Sequence, residues 1–150
     1  PATIYRSRRP FEPLRCALCN KIGSRDQEGS LMAFQKGVKQ ALVHVHCALY
    51  SPEVEFFDDN WKNVLKAVSR GRLIKCSKCQ LPGASIGCNL NSCLLSYHFS
   101  CCEDEDWTFE RDGKVFFCKQ HRNNAKKLRR SLVPAEAIQH DLIGSASDTA

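Results

Sequence analysis

Apolar residues fall into short clusters that predict a hairpin in the first third of the chain. One apolar cluster covers residues 31–34, a second covers residues 42–45, and Gly37 with polar neighbours separates them. Such a pattern is typical of two short strands joined by a turn. Residues 44–50 predict a single helical turn that ends before Pro52, because proline cannot continue a helix.

The strongest helical pattern covers residues 58–71. Its apolar side chains recur at the spacing of an amphipathic helix, at Trp61, Val64, Leu65 and Val68. Polar residues 58–60 are placed as caps of the positive N-terminus, and Gly71 is placed to end the helix. We expect this linker helix to join the units on either side, because its apolar stripe offers both of them a packing surface.

The composition is that of a small globular chain. A length of 150 residues excludes a large multi-domain enzyme. The residues are 43% hydrophobic and 25% charged, which are ordinary values for soluble domains. No stretch approaches the ~20 apolar residues of a membrane span, and residues 1–15 lack the apolar block of a secretory signal. We therefore expect a soluble intracellular chain, and the start at Pro1 indicates a fragment of a longer protein.

The cysteines are spaced for metal binding rather than for disulfides. Ten are present, and several pair with a cysteine or histidine across a two-residue gap, as Cys16 does with Cys19 and His44 with Cys47. Disulfide frameworks have no use for histidine, whereas tetrahedral zinc takes thiolate and imidazole together. Zinc is therefore the predicted cofactor.

The donors also divide evenly into closed sites of four ligands. Twelve donors provide for three zinc ions, namely Cys16, Cys19, His44, Cys47, Cys76, Cys79, Cys88, Cys93, His98, Cys101, Cys118 and His121. Cys102, His46 and His140 are left over, with His46 as the alternative to His44 on the same turn. Structural zinc contributes about 10–16 kcal/mol in small peptides, so we expect folding to depend on the metal.

The donors of the second half leave two arrangements open. Four pairs follow one another from Cys76 to His121. Two consecutive sites would take neighbouring pairs, whereas a cross-braced arrangement would interleave the first pair with the third and the second with the fourth. Spacing alone does not distinguish these arrangements.

These residues resemble the extended plant homeodomain (PHD) finger, a zinc knuckle followed by an atypical PHD finger. The similar stretches are HVHCALYSPEV at residues 44–54, WKNVLKAVSRGRLIKCSKCQLPGASIGC at residues 61–88, and NSCLLSYHFSCC through VFFCKQHR at residues 91–122. The chain looks most like the versions in trithorax and mixed-lineage-leukaemia type histone methyltransferases. It departs from them at Leu42 and Tyr50, where the family often has tryptophan.

The resemblance implies cross-bracing, since histidine is the fifth donor of the finger. The implied sets are Cys76, Cys79, His98 and Cys101 for one ion, and Cys88, Cys93, Cys118 and His121 for the other. The implied fold class is a small zinc-stabilised α+β fold in which the zinc knuckle and the cross-braced PHD-type finger pack as one unit through the linker helix.

The expected organisation follows from these assignments. It comprises a basic flexible arm at residues 1–13, the zinc knuckle at 14–57, the linker helix at 58–71, the atypical PHD finger at 72–122, and a basic, then mostly disordered tail at 123–150. Within the tail, residues 135–143 carry the pattern of a short amphipathic helix.

Catalysis by this chain is not expected. Closed zinc sites leave no open coordination position to activate water, and no nucleophile is paired with a base. A RING ubiquitin ligase also cross-braces two zinc ions, but it places histidine fourth among closely spaced pairs. Here histidine is fifth and the second pair, Cys88 and Cys93, is separated by four residues.

Clustered charges indicate nucleic-acid and histone contacts. The formal net charge is +6, and the predicted DNA-binding residues are Arg70, Arg72, Lys75, Lys78, Lys126, Lys127, Arg129 and Arg130. The alternative for the basic flanks is a solvated tail or a localisation signal. Histone tails are basic, so an acidic run with one spare aromatic is the predicted histone contact: Glu103, Asp104, Glu105, Asp106 and Trp107. Its alternative is a solvated loop.

The sequence as a whole predicts a non-catalytic, nuclear chromatin-binding module held by three zinc ions. It would contact a histone tail, double-stranded DNA or both on a nucleosome, as a monomer among other subunits of a chromatin complex. The alternative is a protein-interaction scaffold that binds neither histone nor DNA directly.

Overall fold

A computed structural model describes residues 12–90, 92–104, 108–110, 115–121 and 145–149. The strands are β1 (Leu31–Lys36), β2 (Lys39–His44), β3 (Glu55–Phe57), β4 (Asn60–Lys62), β5 (Ile86–Gly87), β6 (Ser96–Tyr97), β7 (Thr108–Glu110), β8 (Val115–Phe117) and β9 (Ser145–Thr149). The helices are α1 (Val45–Leu49), α2 (Val64–Gly71) and α3 (Phe99–Asp104), followed by a 3-10 turn at Lys119–His121. Among these residues no helix has the length and apolar character needed to cross a membrane.

The predicted hairpin and helical turn of the first third are confirmed. Strands β1 and β2 pair antiparallel, from Leu31 opposite His44 to Lys36 opposite Lys39. Gly37 has a φ of 61°, a conformation that glycine adopts without steric cost at the tight turn. Helix α1 follows β2 directly, so the hairpin's open end and α1 lie together.

The predicted linker helix begins later than the sequence indicated. Residues 58–62 form a turn and strand β4 instead of the first helical turns. Asp58 and Asp59 have φ values of 52° and 61°, the left-handed pair that a tight type I′ hairpin turn requires. Aspartate tolerates this conformation as well as a cap position, so turn formation by β3 and β4 outweighed helix capping.

Trp61 consequently packs in a sheet rather than on a helix. It is 3% exposed, and its ring meets Phe34 edge-on at 5.2 Å and Phe56 at 4.5 Å between centroids. Such aromatic contacts contribute about 0.5–1.5 kcal/mol beyond the area that they bury.

The last described segment also departs from its prediction. Residues 145–149, expected to be disordered, form β9, the central strand of a five-stranded sheet with the order β2-β1-β9-β4-β3. Strand β9 runs parallel to both β1 and β4. Its sequence has few β-forming residues, so the neighbouring strands rather than local propensity favour this conformation. The predicted arm at 1–13 lies almost entirely outside the described residues, as does the predicted helix at 135–143.

One apolar core runs through the knuckle and the finger. Leu18 of the knuckle is 2% exposed and approaches Gly71 at the end of α2. On the other side, the ring of Tyr50 stacks on Phe99 of α3 at 4.8 Å, and Phe116 of β8 is buried close by. The fold is therefore the expected small α+β fold, with both zinc-binding parts packed as one unit.

Candidate metal centres and charged surfaces

The first donor set lies where the hairpin meets α1. Cys16 and Cys19 come from a turn before β1, His44 ends β2, and Cys47 lies in α1. His44 Nδ1 is 3.2 Å from Cys19 Sγ and 3.9 Å from Cys47 Sγ. His44 Nε2 lies 2.6 Å from the carbonyl oxygen of Gly23, so the proton is held on Nε2 and Nδ1 is left for a metal.

Backbone amides also fix the first set. The sulfur of Cys16 lies 3.4 Å from the amide nitrogen of Leu18, 3.5 Å from that of Cys19 and 3.3 Å from that of His44. All four donors are buried. The sulfur therefore sits among amide donors that favour a thiolate over a thiol.

The second donor set repeats this geometry. Its members are Cys76, Cys79, His98 and Cys101. His98 Nδ1 is 3.3 Å from Cys79 Sγ and 3.9 Å from Cys101 Sγ. His98 Nε2 lies 2.9 Å from the carbonyl oxygen of Pro82, which again directs Nδ1 toward the metal position.

The third donor set joins the β5 region to the end of the finger. Its members are Cys88, Cys93, Cys118 and His121. Cys118 Sγ is 3.2 Å from His121 Nδ1 and 3.9 Å from Cys93 Sγ. Because the second and third sets interleave along the chain, the structure has the cross-braced arrangement rather than two consecutive sites.

Burial and hydrogen bonds among the donors shift the pKa values of the first set strongly and in opposite directions. Burial opposes ionisation of Cys16, but hydrogen bonds with the other three donors hold its pKa well below the usual 9.0. Burial and the neighbouring Cys16 raise the pKa of Cys47 well above that value. Burial alone would lower the pKa of His44, but hydrogen bonds with Cys16 and Cys19 raise it to about 10.

The other two sets show the same opposition between neighbouring thiolates. Burial, followed by the charge of Cys76, raises the pKa of Cys101 to about 12. Burial and a hydrogen bond with Cys88 raise the pKa of Cys118 to about 11. A divalent cation removes this penalty, and a set of three thiolates and one imidazole fits tetrahedral zinc. In each of the three sets all four ligand atoms lie within 4.8 Å of one another, so the chain has donors for three zinc ions.

Two of the leftover donors, His46 and Cys102, lie outside these sets. His46 Nδ1 is 2.5 Å from the carbonyl oxygen of Gln27, and its ring meets Phe99 at 5.7 Å. Cys102 is fully buried. His46, the alternative donor on the turn of His44, is therefore held by other partners, and His140 falls outside the described residues.

Arg70 has a structural partner that the sequence prediction missed. Its guanidinium forms a two-point ion pair with Glu53, with nitrogen–oxygen distances of 2.5 and 3.0 Å, and Nη2 donates to the carbonyl oxygen of Ser85 at 2.6 Å. Burial opposes ionisation of Glu53, but Arg70 lowers the pKa of its carboxyl. These contacts oppose the prediction that Arg70 binds DNA, because Nε and Nη2 of its guanidinium are already engaged.

The other predicted charged residues are only partly described. Arg72, Lys75 and Lys78 are exposed. Glu103 and Asp104 occupy the last turn of α3. The remaining predicted DNA and histone contacts lie outside the described residues: Glu105, Asp106, Trp107, Lys126, Lys127, Arg129 and Arg130.

Basic residues that the sequence prediction did not include line a groove between the hairpin tip and α2. The groove has a volume of about 700 Å³ and is lined in part by Lys36, Lys39 and Lys66. A neighbouring concavity shares Lys39 and extends to Arg72. These residues are separate in the sequence, so only the pairing of β1 with β2 and their packing beside α2 brings them together.

The turns that bear the first two donors of the first and second sets form a repeat that the sequence prediction also missed. CALCNKIG at residues 16–23 and CSKCQLPG at residues 76–83 share a Cys-x-x-Cys-[Asn/Gln]-x-x-Gly pattern. Asn20 and Gln80 have φ values of 68° and 67°, and both donate their backbone N–H to the first cysteine's carbonyl oxygen. The shared pattern of cysteine, amide residue and glycine was the signal available in the sequence.

Comparisons with known proteins agree with this geometry. Residues 44–122 match the family described as a PHD-like zinc-binding domain. The chain is 42% identical over 111 residues to the human histone-lysine N-methyltransferase 2B, covering 73% of this chain and 4% of that protein. It is 44% identical over 119 residues to the histone-lysine N-methyltransferase trithorax of Drosophila virilis, covering 77% of this chain and 3% of that protein.

The chain covers a larger share of a third relative. The chain is 32% identical over 154 aligned positions to PHD finger protein 11 of Bos taurus, covering 93% of this chain and 44% of that protein. The chain thus spans well under two thirds of each of these relatives. The resemblance to the extended PHD finger is confirmed, and the chain belongs to the PHD-like zinc-binding domain family.

Proposed function

We propose that this chain is a non-catalytic, nuclear chromatin-binding module that contacts nucleosomal DNA and a histone tail. The observation that carries the proposal is the basic groove formed by Lys36, Lys39, Lys66 and Arg72 on a zinc-stabilised core. Two of the relatives are histone-lysine methyltransferases by name, which supports a chromatin setting. Each zinc set has four protein donors, the pattern of structural rather than catalytic zinc.

The DNA contact rests on charge and shape. All four basic residues of the groove are exposed, and they belong to β1, β2, α2 and the residue after α2. Phosphates neutralised by such groups release counterions, so each contact adds about 0.9 to the slope of log affinity against log salt. A rigid groove orders these charges in advance, so less side-chain and backbone entropy is lost on binding than in a flexible tail.

The histone contact rests on the acidic run that begins in α3. Glu103 and Asp104 end a helix that starts at the buried Phe99, one residue after the zinc donor His98. Acidic groups anchored in this way suit a basic tail added beside the finger. The alternative function is a protein-interaction scaffold, in which neither surface binds chromatin directly.

Charge reversal in two matched variants tests the DNA contact. One variant combines Lys39→Glu and Lys66→Glu in the groove, and the other combines Lys75→Glu and Lys78→Glu outside it, so both change the net charge equally. We expect the groove variant to lose DNA affinity at least tenfold and to lower the salt slope by about 0.9 for each contact removed. The second variant should change affinity far less, and the zinc content of both should equal that of the unmodified chain.

Other results would place the DNA contact elsewhere on the chain. Equal losses in both variants would indicate general charge attraction, and loss only after neutralising Lys126, Lys127, Arg129 and Arg130 would place the DNA contact in the tail. Histone tail peptides are titrated in parallel against a Glu103→Lys, Asp104→Lys variant. If the intact chain binds neither DNA nor histone peptides at low salt, the chromatin-reading function is wrong and the scaffold function remains.

A further inference from the structure

Strand β9 fills a gap between two hairpins that do not pair with each other. In the sheet order β2-β1-β9-β4-β3, the edge of β1 and the edge of β4 meet only through β9. Ala33 lies opposite Ser145 on one side, and Trp61 lies opposite Asp148 on the other. Without β9, both edges would present unpaired backbone groups, which is the arrangement that accepts an added strand.

The start of α2 closes one end of this gap with an anion-binding position. The backbone amides of Val64 and Leu65 donate to the two carboxylate oxygens of Asp148, at 2.9 and 2.8 Å. Asp148 is only 5% exposed. A carboxylate that bridges two free amides at a helix N-terminus is stabilised by both hydrogen bonds and the helix dipole.

Local residues do not provide this cap. Asn63 occupies the N-cap position with a φ of 67°, and its side chain makes no capping hydrogen bond. Its amide instead donates to the carbonyl oxygen of Glu53 at 3.1 Å. The helix start is therefore completed by a carboxylate from the far end of the chain.

The segment that fills the gap is poorly suited to a permanent central strand. Residues 145–149 read Ser-Ala-Ser-Asp-Thr, and only threonine among them favours strands. The twelve zinc donors all precede residue 122, so the metal sites do not tie down β9. Residues 122–144 separate it from the last donor along the chain.

We propose that the gap between β1 and β4 is a peptide-binding groove, and that residues 145–149 are its intramolecular ligand. The ligand class is an extended segment of a partner protein that runs parallel to β1, with small residues followed by aspartate at the position of Asp148. Lys36, Lys39 and Lys66 line the concavity that Asp148 borders, so the charge of the site also favours an acidic ligand. A partner segment with better strand formers displaces the tail and releases it.

Cleavage of the folded 150-residue chain tests the groove without removing the tail beforehand. A protease site is inserted between residues 130 and 135, and the zinc-loaded protein is cut after folding. The probe is a fluorescein-labelled synthetic peptide of residues 143–150, IGSASDTA. We expect the cut protein to exchange its tail for the probe, with saturable binding, while native mass spectrometry still counts three zinc ions.

Matched probes and the uncut protein provide the controls. A peptide with Asp148→Asn should bind at least tenfold more weakly, because the neutral amide loses the charge-assisted contacts to α2. The uncut chain should bind the probe at least tenfold more weakly than the cut chain, since its tethered tail is present at an effective concentration of about millimolar. Equal binding of the two peptides, or no uptake by a cut protein that retains its zinc, would overturn the proposal.

Two further measurements cover the remaining outcomes. If cutting releases zinc and unfolds the chain, β9 is a permanent structural strand and the proposal is wrong. In the uncut Asp148→Asn variant, hydrogen exchange should accelerate at residues 145–149, Val64 and Leu65 but not at the zinc sites, and uniform acceleration would contradict a separable ligand. Concentration-dependent dimers of the uncut chain would show that the tail of a second copy, rather than a partner protein, is the occupant.

Discussion

The two cysteine turns at residues 16–23 and 76–83 have the same local structure but different neighbours. In each turn, the first cysteine's amide donates to the carbonyl oxygen five residues later, at 3.0 Å for Cys16 and 2.9 Å for Cys76. Both turns supply two thiolates to a set completed by a histidine and a cysteine. Metal ligation therefore determines the local geometry, whatever lies beyond it.

The residues between the cysteines distinguish the two turns. Leu18 in the first turn is buried against the second turn, whereas its counterpart Lys78 is exposed. Cys19 is likewise buried, whereas its counterpart Cys79 is exposed. The first turn thus belongs to the shared core and the second lies at its surface, so equivalent substitutions should have unequal effects.

Loss of one cysteine should have the largest effect, and the effect should differ between the turns. Cys19→Ser removes a buried thiolate from a site worth about 10–16 kcal/mol in peptides, as much as the whole stability of a small domain. We expect loss of one zinc ion by native mass spectrometry and loss of the folded circular dichroism spectrum. Cys79→Ser should keep the fold, because water can reach the exposed position. Equal unfolding of both variants would contradict the distinction.

Alanine at the two equivalent glycines should have the next largest effect. Gly83 has a φ of 101°, and a Cβ atom there would lie 1.9 Å from the carbonyl oxygen of Leu18. Gly23 has a φ of 64° with open space around it. Gly83→Ala should cost about 3–5 kcal/mol from strain and overlap together, and Gly23→Ala about 1 kcal/mol from strain alone. Urea unfolding with saturating zinc measures both, and similar costs would show that the turns do not pack as described.

The same division explains which features the sequence predicted. The hairpin, helix α1 and the zinc donors follow from short-range periodicity and spacing, which report on local geometry and on metal chemistry. Residues 58–60 were misassigned because a run of aspartate and asparagine suits a helix cap and a tight turn equally. The cross-braced pairing came from family resemblance rather than from spacing.

The remaining features depend on contacts between distant residues. Asp148 caps a helix that starts at Val64, and Arg70 pairs with Glu53, and neither partner carries a local signal of the contact. The basic groove likewise joins Lys36 and Lys66 only after β1 packs beside α2. Such contacts require the three-dimensional arrangement, which a single sequence does not give.

Acidification should destabilise the first turn through an ion pair that the second turn lacks. Glu28 is 1% exposed and lies 3.1 Å from both Lys21 Nζ and Arg25 Nε, whereas Leu81 occupies the place of Lys21 in the second turn. Burial opposes ionisation of Glu28, but Lys21 and Arg25 lower the pKa of its carboxyl below 4.5. A lowered folded-state pKa gives stability that is complete above the unfolded value and is lost as pH falls through the folded one.

Glu28→Gln tests this pH dependence. At pH 7 the variant should be less stable by about 1–2 kcal/mol, a modest figure because both cations are partly exposed. The difference in the free energy of unfolding between the variant and the unmodified chain should shrink as the pH falls below 4.5, where the native carboxyl also becomes neutral. Urea unfolding at a series of pH values measures this stability difference, and the zinc content is checked at each pH. A stability difference that stays constant from pH 7 to pH 3, in samples that retain their zinc, would assign the effect of Glu28 to packing instead of charge.

Glycine at the left-handed position of each turn should have the smallest effect, with opposite signs. The side chain of Gln80 donates within its own turn, to the carbonyl oxygen of Ser77 at 3.3 Å, so Gln80→Gly should relieve strain and stabilise by about 0.5 kcal/mol. Asn20 tolerates this conformation better and donates to the carbonyl oxygen of Pro82 in the other turn at 3.0 Å. Asn20→Gly should therefore destabilise by about 0.5–1 kcal/mol through the lost hydrogen bond. Thermal unfolding of the two variants measures whether each raises or lowers the unfolding temperature of the unmodified chain. Changes in the same direction would mean that this hydrogen bond does not join the turns in solution.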